Sequence, residues 1–171
     1  RRAAARGSAA DVSFAITVAC FYEELAEKLL DGARSAFAEH GHHDVEVFQV
    51  PGAFELPLAA SYAAASGRFA GVACLGAVIR GETDHYDYVC AEVARGVMRV
   101  QLDTGVPCTF GVLTCATMEQ ALARAGGAPP GGTSKRDQGR HAAEAAIRLA
   151  ALREELACAG TGSAVSPGPD R

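Results

Sequence analysis

The densest chemistry in this chain lies in Gly76-Ala77-Val78-Ile79-Arg80-Gly81-Glu82-Thr83-Asp84-His85-Tyr86-Asp87-Tyr88-Val89. An apolar run ends at a turn around Gly81, and the chain passes through Thr83 into a helical pattern opening at His85. A helix that begins just after a strand has backbone N–H groups without intrahelical partners, and its dipole adds partial positive charge there. Gly81, Glu82 and Thr83 could therefore hold a phosphate through N–H groups and a hydroxyl, with the Glu82 carboxylate turned away from the anion. His85, in the first turn, would reach such a substrate as a proton shuttle, because a neutral imidazole near pH 7 accepts and returns protons. Each feature also has a plain reading: short Gly-containing turns are common, and a first-turn histidine is often just a surface residue.

Three other segments carry groups of the same kind. Phe21 follows an apolar run, where its ring either stacks on a planar heterocycle or covers the end of a sheet. In Pro51-Gly52-Ala53-Phe54-Glu55, the Glu55 carboxylate either binds the hydroxyls of a polyol or caps a helix start. Arg124, just before Gly126-Gly127, either grips a phosphate with its fork or completes the dipole of a short helix. His40, His42 and His43 stand near Glu39 and Asp44 in a Gly-containing loop, which reads as a solvated loop rather than a metal site. Six cysteines lack CxxC or any regular ligand spacing and fall mostly in apolar stretches, so they read as reduced thiols.

The elements that must position these groups follow from hydrophobic periodicity. Apolar, β-branched runs predict strands over 12–20, 45–50, 71–79 and 108–113. The 71–79 run is apolar throughout, as expected of a strand buried on both faces. Helical spacing predicts helices over 23–39, 55–66, 85–104, 117–125 and 136–156, with Gly41 and Gly105-Val106-Pro107 as stops and Thr117 as a cap. Strands alternating with helices imply right-handed crossovers and a parallel sheet. The expected fold is α/β, a three-layer, flavodoxin-like sandwich whose four-stranded parallel sheet has helices on both faces. Ligands of such sheets gather at the carboxyl ends of the strands. Phe21-Tyr22, residues 51–55, residues 80–85 and Thr114 should all converge there.

Bulk properties narrow the function class. With 171 residues the chain is one domain with room for a core, expected over 12–157. A net charge of −4 argues against nucleic acid as main partner, and the longest apolar runs suit buried strands rather than a membrane span. Residues 1–11 read as a leader whose first ten residues are basic and acid-free, either a transit-peptide remnant or a disordered lead, and the chain opens on Arg1 rather than Met, as after trimming. The Gly-, Ser- and Pro-rich residues 158–171 read as a disordered tail. A bacterial-type cytoplasm is expected, with a plastid as the alternative that the leader suggests.

Taken together, the segments resemble the 6,7-dimethyl-8-ribityllumazine synthase family of riboflavin biosynthesis. The match rests on Pro51-Gly52-Ala53-Phe54-Glu55-Leu56-Pro57, residues 76–89, Gly105-Val106-Pro107 with Phe110-Gly111-Val112-Leu113-Thr114, and Glu119-Gln120-Ala121-Leu122 with Arg124-Ala125-Gly126, in the family's order and spacing. The resemblance implies a transferase that joins 5-amino-6-ribitylamino-2,4(1H,3H)-pyrimidinedione to 3,4-dihydroxy-2-butanone 4-phosphate without a metal or organic cofactor. By that likeness Phe21 stacks on the pyrimidine, and Ala53, Phe54, Val78 and Ile79 hold its edge. Glu55 takes the ribityl hydroxyls, Gly81, Glu82, Thr83 and Arg124 take the phosphate, and His85 moves protons.

The family also implies a homo-oligomer whose site lies between subunits, the neighbour supplying the aromatic matching Phe110 and the arginine matching Arg124. The unit is a pentamer, sometimes doubled to a decamer or built into a sixty-subunit shell. The long 127–139 connection goes with free pentamers. Departures are Gln138, where many relatives carry lysine, Ala123 in place of an acid, and Tyr22 where asparagine is frequent; Lys135 is a candidate substitute for the missing lysine. The alternative in the same family is a lumazine- or flavin-binding paralogue with weak turnover. A generic nucleotide binder would want a GxxxxGK[ST] or GxGxxG loop, which the sequence lacks.

Overall fold

A computed structural model describes residues 13–126 and 136–160. The expected leader, most of the expected tail and most of the 127–139 connection, with Lys135, lie outside the described residues. The elements run in the order β1 (Phe14–Ala19), α1 (Glu23–Glu39), β2 (Val45–Val50), a 3-10 turn (Ala53–Glu55), α2 (Leu56–Ala65), β3 (Val72–Ile79), α3 (His85–Thr104), β4 (Cys108–Cys115), α4 (Met118–Leu122) and α5 (Gln138–Gly160). All three strand pairings are parallel, in the order β2-β1-β3-β4.

The side-chain period of two sorts the sheet into two cores. Phe14, Ile16 and Val18 of β1, with Ala73, Leu75 and Ala77 of β3, pack against α1 and α5. Ala15 and Ala19, with Val72 and Cys74, face α2 and α3, where Leu56, Ala60, Val93 and Val97 close the other layer. Helices on both faces explain why the middle strands are apolar on both sides. At the end of α3, Gly105 adopts φ +68° and donates its N–H to the Gln101 carbonyl (2.9 Å), a left-handed stop that suits glycine.

Several element boundaries differ from expectation, and two of the shifts bear on the site. The segment after Gly52 first makes a 3-10 turn, so α2 starts at Leu56 with Pro57 in its first turn, where proline's missing N–H costs nothing. β4 continues to Cys115 because β3 is long enough to pair it rung by rung up to Ile79–Cys115. Thr114 is therefore part of a strand rather than of the connection after it.

Thr17 is fully buried on β1 opposite Cys74, and its hydroxyl has no nitrogen or oxygen partner among the described residues. The Cys74 thiol opposite, pushed up to about 11 by burial, is at best a weak partner for that hydroxyl. A buried hydroxyl with only a weak partner recovers little of its desolvation cost. Thr17→Val is therefore expected to raise stability by about 1 kcal/mol. The check is a denaturant midpoint that moves up with an unchanged m value; a lower midpoint would mean the hydroxyl is paired after all.

Candidate active site

β1 and β3 lie side by side, and the connections that follow them leave in opposite directions, which opens a crevice at their carboxyl ends. A cleft of about 550 Å³ occupies it, a size typical of small-molecule sites. Its walls come from three connections distant in sequence: Phe21 and Tyr22 after β1, residues 52–55 after β2, and the end of β3 with the turn and first residues of α3.

Phe21 is 73% exposed and meets the edge of Tyr22 at 4.9 Å between centroids. It is therefore no core residue, and its ring is available to a planar ligand. Glu55 caps no N–H group of α2, which removes the capping role that sequence left open. Its Oε2 lies about 3.1 Å from where a Gly52 Cβ would stand, so the carboxylate folds back over the glycine at the cleft wall. Ala53, Phe54, Val78 and Ile79 also line the cleft, with Ala53 buried and Phe54 exposed.

Gly81, Thr83 and His85 line the opposite side, while Glu82 is exposed and stays outside the lining. The backbone N–H groups from Gly81 to Asp84 donate to nothing among the described residues. They are free for an anion at the positive end of the twenty-residue helix α3. His85 opens that helix and is exposed.

Phe110 and Arg124 do not join this cleft. Phe110 sits half-buried on β4 against the α2–α3 core. Arg124 is exposed beyond α4, with one guanidinium nitrogen donating to the Gln120 carbonyl (2.8 Å). Gln138 ties these two together: its side-chain amide donates to the Phe110 carbonyl (3.2 Å) and its backbone N–H to the Arg124 carbonyl (2.9 Å). Thr114, exposed near the end of β4, is absent from the lining as well.

Sequence reasoning brought Tyr22 to this edge without giving it a role and passed over Tyr86, Tyr88 and Val89; all four line the cleft. The last two were within reach, since residues three and four beyond His85 share its helix face. Burial pushes the Tyr86 phenol up, so it stays neutral as a donor at the wall. The histidines of the 40–43 loop have local structural uses: His40 Nδ1 donates to the Ala36 carbonyl (2.8 Å), and the His42 ring packs edgewise on Phe14 at 4.7 Å. Cys108, pushed up to about 12 by burial, remains a thiol at neutral pH, like Cys74.

The family model described as 6,7-dimethyl-8-ribityllumazine synthase matches residues 11–154 of this chain. Among curated proteins, the 6,7-dimethyl-8-ribityllumazine synthase of Syntrophus aciditrophicus (strain SB) is 47% identical over 147 residues, which cover 85% of this chain and 92% of that protein.

Proposed function

This chain belongs to the 6,7-dimethyl-8-ribityllumazine synthase family, transferases of riboflavin biosynthesis, and on that premise we propose how its residues carry the reaction. The substrates are 5-amino-6-ribitylamino-2,4(1H,3H)-pyrimidinedione and 3,4-dihydroxy-2-butanone 4-phosphate. The observation that carries the assignment is the convergence of three separate connections on one cleft, each bringing a group that suits a different part of the two substrates. The exposed Phe21 ring stacks on the pyrimidine, with main-chain groups at Ala53, Phe54, Val78 and Ile79 reading its edge. Glu55 accepts hydrogen bonds from the ribityl hydroxyls. The free N–H groups of Gly81 and Glu82, with those of Thr83 and its hydroxyl, receive the phosphate.

The 5-amino nitrogen attacks the ketone carbonyl, and loss of water gives an imine. Removal of the proton on the neighbouring hydroxyl-bearing carbon then expels phosphate with its bonding electron pair, the resulting enol takes up a proton at its terminal carbon to become a ketone, and attack of the ribitylamino nitrogen on that carbonyl closes the second ring with loss of another water. Every step moves a proton, and His85, beside the phosphate cradle, takes and returns it. Holding two reactive molecules in register supplies most of the acceleration. Positioned proton transfer adds about 10²-fold. His85→Ala is therefore expected to lower kcat by up to about 10²-fold while leaving turnover measurable. Complete loss of turnover in a folded variant that still binds both substrates would contradict this division of labour.

We further propose that the working form is a homo-oligomer, with a pentamer favoured over a decamer or a sixty-subunit shell. Supporting this, α2 and α3 leave Leu58, Tyr62, Met98 and Leu102 more than half exposed, an apolar surface that a second copy would cover. The site would be completed by Phe110 and Arg124 of an adjacent subunit. The buried free thiols suit a cytoplasm.

The assay follows lumazine absorbance and released phosphate with both substrates present. Stoichiometric product supports the synthase. Tight binding of lumazine or riboflavin without product would favour the weakly active paralogue, with Gln138 the first residue to restore to lysine.

A further inference from the structure

Arg80 joins the last rung of the sheet to the first turn of α3. Its N–H donates to the Cys115 carbonyl (3.0 Å), which makes its backbone an extension of the β3–β4 ladder. Its guanidinium crosses the turn and donates twice to Asp87, at 2.6 and 3.1 Å. On the way it lies over the Tyr86 ring, 4.2 Å from the centroid. The arm thus encloses residues 81–85. The Asp84 carbonyl accepts from the Asp87 and Tyr88 N–H groups (3.0 and 3.4 Å), but ahead of it little fixes the backbone: a Cβ on Gly81 would meet nothing within 4 Å, and the N–H groups from Gly81 to Asp84 have no partner among the described residues.

We propose that the Arg80–Asp87 pair, stacked on Tyr86, is a positioning clamp that holds the 81–84 turn and His85 in anion-binding geometry. The proposal deepens the reading of this cleft as the site of the phosphorylated ketone and rests on it.

Three observations favour positioning over a direct or purely structural role. The two side chains are about half exposed, 46% and 56%, where an ion pair adds little stability, so a contribution to folding does not account for it. A two-pronged fork with a ring beneath it fixes direction as well as distance, which is what an open turn lacks. Finally, Asp87 stays outside the cleft while His85, Tyr86, Tyr88 and Val89 line it. The clamp therefore holds α3 from behind and spends the guanidinium charge on Asp87 rather than on a ligand.

The test compares Arg80→Gln, Arg80→Lys, Asp87→Asn and the Gln/Asn double variant with the wild type, all as full-length assembled protein. The readouts are kcat, KM for each substrate, melting temperature, and inorganic phosphate affinity by direct titration. Each single variant is expected to raise KM for the phosphorylated ketone and Kd for inorganic phosphate by roughly tenfold. KM for the pyrimidine should stay within about twofold and the melting temperature within about 3 °C. The double variant should be no worse than the singles, because both break one device. Arg80→Lys should resemble Arg80→Gln, since a lone ammonium cannot make the fork.

Tighter phosphate binding in Asp87→Asn would overturn the proposal, because the freed guanidinium would then be the ligand. Additive losses in the double variant, or unchanged phosphate affinity throughout, would overturn it too. A wild type that makes no lumazine but loses phosphate affinity in the clamp variants would sink the reaction and leave the clamp standing. An active wild type with unaffected variants would do the reverse.

Discussion

Replacing Arg124 by alanine is expected to cut kcat/KM for the phosphorylated ketone by ~30- to ~5,000-fold, the range for removing a cation from a desolvated charge pair. Arg124 is well suited to hold an anion. Its backbone is fixed on both sides, by its N–H to the Ala121 carbonyl (3.0 Å) and by the Gln138 N–H to its own carbonyl (2.9 Å). Its side chain is exposed and only one arm is seen engaged, on the Gln120 carbonyl. Since Arg124 lies outside the cleft of its own chain, the loss should be shared between subunits. Mixed assemblies of Arg124→Ala and His85→Ala chains should regain activity above either variant alone, because some sites then draw both intact residues from different chains. Absence of that recovery, with mixing verified by mass, would mean the site is not built across subunits.

Gly139→Ala is expected to be the most damaging small change to the fold. An alanine Cβ there would stand 2.0 Å from the Leu29 carbonyl oxygen and 2.7 Å from its carbon, on the backbone of α1. No rotamer relieves a clash between backbone atoms, so α5 must move away from α1. The cost should reach about 3 kcal/mol or more. For a chain of this size that is a fall of roughly 6–12 °C in melting temperature at fixed protomer concentration. Gly41→Ala is the comparison: at φ +82° with nothing within 4 Å, it costs only the left-handed backbone, about 1–2 kcal/mol. A Gly139→Ala protein as stable as Gly41→Ala would show that the close approach of α1 and α5 relaxes freely. The displacement should also be felt at the site, because Gln138 next door holds both Arg124 and Phe110.

Much of this protein was legible before any coordinates. The β-branched runs and the 3.6-residue spacing are local signals, and they fixed α1 at Glu23–Glu39 and α3 at His85–Thr104 without shift. The order of strands and helices then left one economical fold, and that fold told where its chemistry must collect. Phe21, Glu55, Gly81, Thr83 and His85, which line the cleft, could be singled out because each follows the end of a strand or stands at the start of a helix, where the chain turns outward.

Tertiary structure decided the rest. The end of β4 depended on how many rungs β3 could offer, which no window of sequence contains. Whether Glu55 caps a helix or faces a cleft depended on the 3-10 turn before α2. Arg80 and Asp87 look like ordinary surface charges seven residues apart, and become a clamp only when a strand end and a helix start bring them within hydrogen-bond distance. Periodicity reports which face of an element is buried. Which groups meet is set by register, crossing and chain reversal, and those exist only once the elements have packed.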